Sequence, residues 1–292
     1  MTITPTSPSL GKTIFDCTIG IAGCGAMGLP MARALLRAGF GVKGFDVRPI
    51  DEFDDFKDHM MESAGDFASA VDIIISVVRD KQQTLDLYFE DQAIFKQPDY
   101  PKACLLASTV SPRFINELPD KIPDDVQFFE IPMSGAPIAA EEERLSFMIG
   151  ADEETAAPYR PLLDVMGRDL HFLGGLGKGM TCKVLNNFVA ASSVAAVRQV
   201  LSEAANLNVS PHQLLDVMKS SSGGTWFGDN FESISWATED YDPANTMGII
   251  EKDINALLDV LQGSEADPHA MDYMQTIRNR LSALPPLPEK GD

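Results

Sequence analysis

The segment Cys17–Ala38, CTIGIAGCGAMGLPMARALLRA, decides the fold class. It begins with an apolar run of strand length and closes with a run of helix composition that stops before Gly39. Between the two runs lies the pattern G-x-G-x-x-G, formed by Gly23, Gly25 and Gly28. A strand, this glycine pattern and a helix in that order predict the first βαβ unit of a dinucleotide-binding α/β domain.

The glycines of this loop have separate expected roles. Gly23 permits the tight turn, Gly25 lets the backbone approach a pyrophosphate, and Gly28 lets the helix pack close to the strand. The helix N-terminus then offers free N–H groups and a positive dipole end to the phosphates. The predicted cofactor contacts are Gly23, Cys24, Gly25, Ala26, Met27 and Gly28. The alternative is a glycine-rich turn that binds nothing.

Two charged residues after the next predicted strand bear on the choice of dinucleotide. The strand Gly41–Phe45 is followed by Asp46, 18 residues beyond Gly28. A carboxylate ~20 residues beyond the glycine loop hydrogen-bonds the ribose diol and repels a 2′-phosphate, so NAD is predicted over NADP. Arg48 instead favours NADP, since an arginine can pair with a 2′-phosphate. Asp46 is given more weight because it lies at the end of the strand, so the prediction remains NAD. The alternative is that Asp46 is a turn residue or a helix cap.

The alternation of strands and helices continues through the first half of the chain. Further strands are predicted at Asp72–Val78, Cys104–Ala107, Val126–Ile131, Leu145–Ile149 and Asp169–Leu173. Helices are predicted at Gly65–Val71, from Ser111-Pro112 onward, and at Glu153–Met166. The fold class is therefore α/β, with a Rossmann-type, doubly wound and mostly parallel sheet over residues 13–176. Residues 1–12, rich in Thr, Ser and Pro, are expected to be a disordered extension.

Polar residues and turns follow several of these strands. Ligands of open α/β sheets bind beyond the carboxyl ends of the strands. Val77, Ser108 and Thr109, with Ser76, are therefore predicted to contact the nicotinamide end of the cofactor; the alternative is that they cap strand ends. The turn at Ser134-Gly135 offers a hydroxyl and N–H groups to a carboxylate, but an ordinary strand-to-helix turn explains it equally well.

The second half, residues 177–292, shows only helical patterns and is predicted to be an all-α domain for substrate binding and dimerisation. Its helices are expected at Met180–Asn206, from Ser210 to Met218, within Pro243–Leu261 and at His269–Leu284. Lys183 and Asn187 lie one turn apart on one face of the first helix. A lysine beside a carboxamide can move a proton and orient a substrate oxygen; the alternative is a solvated pair. An all-α half also needs cover for its apolar faces, so a homodimer or homotetramer is expected.

Four segments, in this order, resemble motifs of the β-hydroxyacid dehydrogenase family, and together they span most of the chain. They are the glycine loop with Met27-Gly28 and Met31-Ala32, then Pro132–Gly135, then Gly177–Asn187, and finally Lys252-Asp253. The family includes 3-hydroxyisobutyrate dehydrogenase and tartronate semialdehyde reductase.

The resemblance implies roles for individual residues. Lys183 would be the general acid/base, and Asn187 would hold the reacting oxygen or position the lysine. Ser134 and Gly135, with Ala136 beside them, would bind the substrate carboxylate. Two further residues, Thr109 and Lys252, would lie by the nicotinamide.

The resemblance also implies a reaction, the reversible transfer of hydride between NAD and the carbinol carbon of a small 3-hydroxy acid or its semialdehyde. A lysine that ordinarily titrates near pH ~10.4 needs a lowered pKa to act as a base near neutrality. The alternatives are an imine reductase on the same scaffold and a non-catalytic dinucleotide-binding scaffold protein. Both are expected to lack a lysine at position 183.

The sequence departs from the family pattern at two glycines. Ala136 stands where the family has its second glycine after the serine, and Glu143 stands where a later glycine is usual. The C-terminus also lacks the usual Gly/Asp-rich ending. These departures concern the loop for the substrate acid and leave Lys183 untouched.

Composition and charge argue against several classes of ligand and partner. The net charge of −20 opposes binding to nucleic acid or to an anionic membrane. The four cysteines and four histidines are dispersed without metal-ligand spacing, so no metal site and a reducing compartment are predicted. No secretory h-region is visible, the first twelve residues contain no arginine, and no apolar run is expected to reach membrane-spanning length. The prediction is a cytoplasmic protein.

Overall fold

The structure, a computed structural model, describes residues 11–262, 264–265 and 267–287. The chain divides into two compact units, Met1–Lys183 and Val184–Asp292. The predicted domain boundary, after residue 176, falls just before the helix that begins at Lys178. Most of the predicted disordered extension lies outside the described residues. Of its last two residues, Lys12 is ion-paired, with Nζ 2.7 Å from Oδ2 of Asp72.

The first unit contains a five-stranded parallel sheet in the order β2-β1-β3-β4-β5. Its strands are β1 (Thr18–Ala22), β2 (Gly41–Phe45), β3 (Ile73–Ser76), β4 (Ala103–Leu106) and β5 (Gln127–Glu130). The predicted parallel sheet is thereby confirmed. The chain leaves β1 toward β2 on one side and returns to β3 on the other, so the carboxyl ends of β1 and β3 flank the switch point where such sheets bind ligands.

The helices of the first unit connect these strands. They are α1 (Gly28–Arg37), α2 (Ala64–Ala70), α3 (Lys81–Phe89), α4 (Pro112–Glu117), α5 (Ala136–Glu141), α6 (Glu153–Ala156) and α7 (Arg160–Met166), and one of the 3-10 helices is Ile50–His59. The helix predicted at Glu153–Met166 is interrupted by a 3-10 turn, Ala157–Tyr159. Pro158 and Pro161 explain the break, because proline has no N–H for the helical ladder. Helix α3 was not predicted.

A second, smaller sheet follows β5 and has the order β6-β7-β8. Its strands are β6 (Met133–Ser134), β7 (Leu145–Ile149) and β8 (Gly167–Phe172); β6 and β7 are antiparallel, whereas β7 and β8 are parallel. The amide of Gly150 donates to the carbonyl of Glu130 at 2.9 Å, which extends the pairing back to the end of β5. Strand β6 was not predicted, since two residues are too short to show a period of two.

The core of the first unit lies on both faces of the parallel sheet. Along β3, Ile73 and Ile75 join the cluster that includes α1, whereas Ile74 joins the cluster that includes α2. All three isoleucines are fully buried. This two-sided burial explains why the strand is apolar throughout, because successive side chains point to opposite faces.

The described residues of the second unit form helices joined by turns and loops, with no strand among them, as predicted. Helix α8 (Lys178–Asn206) begins in the first unit and continues into the second, where it is followed by α9 (Pro211–Lys219), α10 (Trp226–Asp229), α11 (Thr246–Leu261) and α12 (Pro268–Leu281). Buried apolar residues of α8, α10 and α11 form one cluster, which includes Val184, Val194, Phe227, Ile254 and Leu257. The four-residue helix α10 was not predicted.

Helix α8 corrects the expectation that no apolar run reaches membrane-spanning length. Within the described residues, the helical segment Lys178–Ala204 is long and apolar enough to cross a membrane, with a mean hydropathy of 1.2 over its most apolar window. A helix in the core of a soluble protein can have the same length and hydropathy. Several apolar side chains of α8 are indeed buried in the cluster of the second unit, and these include Val184, Ala191 and Val197.

A buried arginine braces the second unit. Arg198 on α8 is 1% exposed and donates to the carbonyls of Ala237 (2.9 Å), Glu239 (2.7 Å) and Pro285. Burial lowers the pKa of its guanidinium. Three carbonyl acceptors replace part of the water that a buried cation loses, so Arg198 ties α8 to two distant segments.

Candidate active site

The glycine loop after β1 has the geometry of a dinucleotide site. Gly23 adopts φ +92°, and a Cβ there would lie 2.4 Å from the carbonyl oxygen of Val77. A Cβ on Gly28 would lie 1.9 Å from the carbonyl oxygen of Gly23, so close packing requires both glycines. Around Gly25, in contrast, an added Cβ would meet nothing within 4 Å. The open space at Gly25 therefore fits the close approach of a pyrophosphate to the backbone.

The other residues of the loop divide between burial and exposure. Gly25 and Ala26 are exposed, Met27 is half-buried, and Cys24 is 1% exposed. Burial raises the pKa of the Cys24 thiol to about 12, which keeps it neutral. The Cys24 side chain is therefore a buried neutral thiol and not a reactive thiolate.

Asp46 and Arg48 are joined to each other and to the glycine loop. Oδ2 of Asp46 accepts the amide N–H of Cys24 at 2.8 Å, and Oδ1 accepts Nε of Arg48 at 3.1 Å. The guanidinium of Arg48 also donates to the carbonyl of Cys24 at 2.9 Å. The hydrogen bond to Asp46 raises the pKa of Arg48. The two residues that gave opposing indications about the cofactor thus form one ion pair beside the loop.

The surroundings of Arg48 add a second carboxylate. Its Nη1 lies 3.9 Å from Oε2 of Glu52, and its guanidinium lies 4.7 Å from the centre of the Phe53 ring. Asp46 is largely buried, whereas Arg48 is nearly half exposed. The cation is therefore held by two carboxylates and an aromatic face.

The residues at the ends of β3 and β4 brace the neighbouring backbone. The hydroxyl of Ser108 accepts the amide N–H of Val78 at 2.8 Å and donates to the carbonyl of Ser76 at 3.4 Å. The side chain of Ser76 is fully buried and bonded to Tyr88. Thr109 and Val77 are half-buried at the same edge of the sheet. The alternative role, capping a strand end, is seen for Ser108. Contact of these residues with the nicotinamide stays a prediction.

The turn predicted to bind the substrate carboxylate lies between β6 and α5. Gly135 has φ +139°, and a Cβ there would lie 2.4 Å from Cβ of Ala139. Ala136, which replaces the glycine of the family, has φ +58°. A non-glycine residue with positive φ carries backbone strain. Ser134, Gly135 and Ala136 are all half-buried.

The second departure, Glu143, also has a positive φ, of +57°. It follows α5 in a helix-ending motif in which the amide of Arg144 donates to the carbonyl of Ala139 at 2.9 Å. Glycine is the usual residue at this position of the motif. The carboxylate of Glu143 pairs with Arg37 of α1, with Oε1 2.6 Å from Nη2. The negative charge of Glu143 is thus paired with Arg37 in the last turn of α1.

A buried acid stands at the start of α8. Glu130 is fully buried, and its Oε1 accepts the amide N–H groups of Gly179 (3.1 Å) and Met180 (3.4 Å). Its Oε2 has no hydrogen-bond partner among the described residues. Burial raises the pKa of Glu130 to about 7, against the backbone hydrogen bonds that lower it. The sequence signal was a single acid at the end of the apolar run VQFFEI, and we did not read it as functional.

The two residues predicted to act in catalysis lie on α8 as expected. Lys183 is 6% exposed, so the solvated alternative does not describe it. Nδ2 of Asn187 donates to Oδ2 of Asp253 at 2.6 Å. Nζ of Lys252 lies 2.9 Å from Oδ1 of the same carboxylate, which is buried. Asp253 therefore links Asn187 and Lys252; the Lys-Asp pair was noted in the sequence, but no role was predicted for the aspartate.

Comparison with known proteins agrees with this geometry. Residues 18–182 match the family model described as the NAD binding domain of 6-phosphogluconate dehydrogenase. Residues 177–283 match the model described as NAD-binding of NADP-dependent 3-hydroxyisobutyrate dehydrogenase. The chain belongs to the β-hydroxyacid dehydrogenase family. The match of the first model to more than half of the chain, over the strands and loops described above, supports this membership.

Individual members of the β-hydroxyacid dehydrogenase family show the extent of the similarity. The 2-hydroxy-3-oxopropionate reductase of Escherichia coli (strain K12) is 32% identical over 201 residues, which cover 66% of this chain and 67% of that enzyme. The mitochondrial 3-hydroxyisobutyrate dehydrogenase of Homo sapiens is 28% identical over 230 residues, 78% of this chain and 68% of the human enzyme. A solved 3-hydroxyisobutyrate dehydrogenase of Mycobacterium tuberculosis with L-serine superimposes with a TM-score of 0.74 at 25% identity, covering 91% of this chain and 94% of that one.

The protein is therefore an enzyme, a nicotinamide-dinucleotide-dependent hydroxyacid dehydrogenase. The residues of the glycine loop fit such a cofactor, since Gly25 leaves the space that a pyrophosphate needs. Within the part of the chain that the structure describes, no group of three or more His, Cys, Asp or Glu side chains is placed to hold a metal ion.

Proposed function

We propose that this enzyme transfers hydride reversibly between NAD and the carbinol carbon of a small 3-hydroxy acid, or its semialdehyde, with Lys183 as general acid/base. The observation that carries the proposal is Lys183 itself, which is buried on α8 within the segment that resembles the catalytic motif of the family. A buried lysine loses hydration of its charged form, which favours the neutral base.

The residues divide the work of this reaction. The nicotinamide, when bound, supplies the hydride acceptor at its C4 atom. In oxidation Lys183 accepts the hydroxyl proton, and in reduction it returns that proton to the carbonyl oxygen. Asn187, whose amide is fixed by Asp253, holds the reacting oxygen. The hydroxyl of Ser134 and the N–H of Gly135 bind the carboxylate of the substrate.

The decisive experiment compares Lys183→Ala with Lys178→Ala, an exposed lysine five residues earlier on the same helix. We expect Lys183→Ala to lower kcat by ~10²–10⁴ with little change in the Kd for NAD, and Lys178→Ala to keep kcat within about twofold. Reduction of NAD is followed across a panel of small 3-hydroxy acids. Wild-type turnover in Lys183→Ala would refute the proposed role, and turnover only with cyclic imines would identify an imine reductase.

NAD is the proposed cofactor, with NADP less favoured. Arg48 is the cation that would attract a 2′-phosphate, but it already shares its guanidinium with Asp46 and Glu52. Both carboxylates would repel that phosphate. We expect kcat/KM to be higher with NAD, and Asp46→Asn combined with Glu52→Gln to raise the value for NADP relative to that for NAD. A wild-type preference for NADP would contradict this choice.

A homodimer or homotetramer is proposed from the exposed face of α8. Leu185, Val189 and Val200 on this helix are 46%, 68% and 42% exposed. Their spacing of four and eleven residues places them on one stripe of the helix, which a second copy would cover. Light scattering is expected to show an oligomer, and Val189→Glu to shift it toward the monomer. A wild-type monomer at micromolar concentration would contradict the proposal.

A cytoplasmic location is proposed on the state of the cysteines. All four are free, and Cys17, Cys24 and Cys104 are buried. Free buried thiols are typical of proteins kept in a reducing compartment. Fractionation of the native host with an antibody to the protein is expected to place it with soluble cytoplasmic markers.

A further inference from the structure

We propose that Arg48 is a positioning residue for the pyrophosphate of the dinucleotide. It holds the carbonyl of Cys24 and thereby orients the N–H of Gly25, the loop residue that the phosphates approach. This inference deepens the proposed function and rests on the placement of the cofactor at the glycine loop. It gives Arg48 a task different from pairing with a 2′-phosphate.

The Asp46–Arg48 ion pair holds both backbone groups of one loop residue. Oδ2 of Asp46 accepts the N–H of Cys24 at 2.8 Å, and Nη2 of Arg48 donates to the carbonyl of Cys24 at 2.9 Å. One residue earlier, the N–H of Gly23 donates to the carbonyl of Phe45 at 2.8 Å. The first two residues of the loop are therefore tied through their main chain to the end of β2 and the two charged residues that follow it.

The hold on the carbonyl of Cys24 has a consequence for the next residue. This carbonyl and the N–H of Gly25 belong to one planar trans peptide, in which the two groups point in opposite directions. Arg48 fixes the carbonyl on its own side, so the N–H of Gly25 points to the other side. Gly25 is exposed, and a Cβ there would meet nothing within 4 Å. An N–H group at this open position can donate to a phosphate oxygen.

Arg48 can hold this carbonyl because its own guanidinium is fixed. Its Nε lies 3.1 Å from Oδ1 of Asp46, and its Nη2 lies 3.3 Å from Oδ2 of the same carboxylate. The guanidinium also lies 4.7 Å from the centre of the Phe53 ring, and Phe53 is 1% exposed. The plane of the guanidinium is therefore held by a carboxylate along one edge and by a buried aromatic ring against its face.

The contact with the loop depends on the shape of the guanidinium as well as on its charge. Nε and Nη2 of Arg48 belong to one rigid plane, and they donate to Asp46 and to the carbonyl of Cys24, respectively. A lysine has a single nitrogen, which cannot occupy both positions. Arg48→Lys therefore keeps the positive charge but removes the hold on the loop. Pairing with a 2′-phosphate, in contrast, would survive this change, because a lysine also binds phosphate.

Arg160 has similar surroundings but different acceptors. Its Nη1 and Nε lie 3.1 and 3.4 Å from the carboxylates of Glu153 and Asp164, and its guanidinium lies 6.0 Å from the centre of the Phe172 ring. Its side chain is 49% exposed, close to the 45% of Arg48. These partners lie on α6, α7 and β8, and none of them belongs to the glycine loop. Arg160→Lys is therefore the matched control for Arg48→Lys.

The experiment measures ligand binding and does not rely on turnover. Calorimetric titration gives the Kd for NAD and for NADP, and ligand-observed NMR gives the Kd for adenosine, which lacks the pyrophosphate. We expect Arg48→Lys to raise the Kd for NAD and the Kd for NADP by the same factor, about fivefold, which is the net contribution of one hydrogen bond. The Kd for adenosine should not change. Arg160→Lys should bind all three ligands as the wild type does.

Three results would overturn the proposal. An unchanged Kd for NAD in Arg48→Lys would show that the charge alone is sufficient. A rise in Kd for NADP without a rise for NAD would place Arg48 at the 2′-phosphate. An equal rise for adenosine and for NAD would place Arg48 against the adenosine and not behind the pyrophosphate loop.

The backbone of the loop gives a readout that needs no cofactor. In the free protein, the ¹⁵N order parameter of Gly25 should fall in Arg48→Lys from the rigid range, about 0.85, to the flexible range, below about 0.6. In Arg160→Lys it should stay as in the wild type. Equal order parameters in wild type and Arg48→Lys would refute the hold on the loop. If the wild type binds neither dinucleotide, the proposed function fails, yet this measurement still tests the inference.

Discussion

Two loops in the first unit each open a helix, and they meet the same backbone demand with different residues. The glycine loop leads into α1, and its positive-φ residues before and after that helix are Gly23 and Gly39. The acid loop, Met133–Gly135, leads into α5, and here positive φ occurs at Gly135 but also at Ala136 and Glu143. The glycine loop is therefore relaxed, whereas the segment around α5 carries strain at two non-glycine positions.

The two helices end in the same way, which makes the comparison close. The amide of Phe40 donates to the carbonyl of Leu35 after α1, and the amide of Arg144 donates to the carbonyl of Ala139 after α5. Gly39 and Glu143 occupy the same position in this motif. Both helix ends thus have the same backbone geometry, but only the end of α1 has a glycine at the position with positive φ. The difference lies in the residue type: a glycine adopts the positive φ after α1, whereas a glutamate adopts it after α5.

The largest expected effect is the loss of folding stability caused by Gly23→Ala in the glycine loop. A methyl group there combines a positive φ with a Cβ 2.4 Å from the carbonyl oxygen of Val77. We expect the free energy of unfolding to fall by about 3 kcal/mol or more, the sum of backbone strain and a clash with rigid main chain. Urea unfolding followed by circular dichroism measures it. A loss below about 1 kcal/mol would show that the loop relaxes as readily as the segment around α5.

The next effect concerns the strands that lead into the two loops. Strand β1 contains no charged residue, whereas β5 ends in Glu130, whose buried carboxyl has a pKa of about 7 against an ordinary 4.5. The folded state holds this proton more tightly than the unfolded state. Its contribution to stability is therefore full below about pH 4.5 and declines as the pH rises to about 7, by up to about 3 kcal/mol.

Glu130→Gln should remove that pH dependence. Urea unfolding at pH 5 and pH 8 is expected to give a smaller difference between the two pH values in Glu130→Gln than in the wild type. Glu154→Gln serves as the control, because that carboxylate is exposed. Parallel stability curves for wild type and Glu130→Gln would mean that burial of this carboxyl does not raise its pKa as described.

A third effect separates binding from stability within the glycine loop. A Cβ on Gly25 would meet nothing within 4 Å, so Gly25→Ala should leave the unfolding free energy nearly unchanged. The methyl group would occupy the space for the pyrophosphate, and we expect the Kd for NAD to rise tenfold or more, ~1.4 kcal/mol. Calorimetric titration measures it. Gly175→Ala, also in open space, is the matched control and should bind NAD as the wild type does.

The smallest effect tests the two helix ends against each other. Gly39→Ala adds a methyl group in open space at φ +90°, so it should cost about 1 kcal/mol of backbone strain alone. Glu143→Gly should recover a similar amount, less the ~0–1 kcal/mol of its exposed ion pair with Arg37. Glu143→Ala isolates the ion pair, because it keeps the strain. Equal stability losses in Gly39→Ala and Glu143→Gly would contradict the comparison.

Much of the first unit could be predicted from local pattern. Strands β2 and β7 were predicted to the residue, because each is a run of five residues between turn signals. The helix at Glu153–Met166 was predicted too long, since two prolines inside an apolar pattern were given less weight than its periodicity. Helix α3 escaped prediction because its apolar residues show no clear helical stripe in the sequence KQQTLDLYF.

Site residues could be predicted where a sequence motif fixes their position, but not where their role depends on burial in the folded protein. Gly23, Asp46 and Lys183 could be named because motif spacing fixes their place. Asp253 and Glu130 could not, since an acid within a helix or strand is usually solvated, and only the fold shows these two carboxyls to be buried. Likewise the positive φ of Ala136 became visible only in the structure.

Arg198 determines when the second unit can be completed during synthesis. Its three carbonyl acceptors lie 39, 41 and 87 residues later in the chain. A nascent chain that has left the ribosome only as far as α11 holds the arginine without its last acceptor, Pro285. Because domains fold as units and the N-terminal one folds first, the first unit can fold while translation continues. The second unit, in contrast, can satisfy all three of these hydrogen bonds only after its final segment has been synthesised.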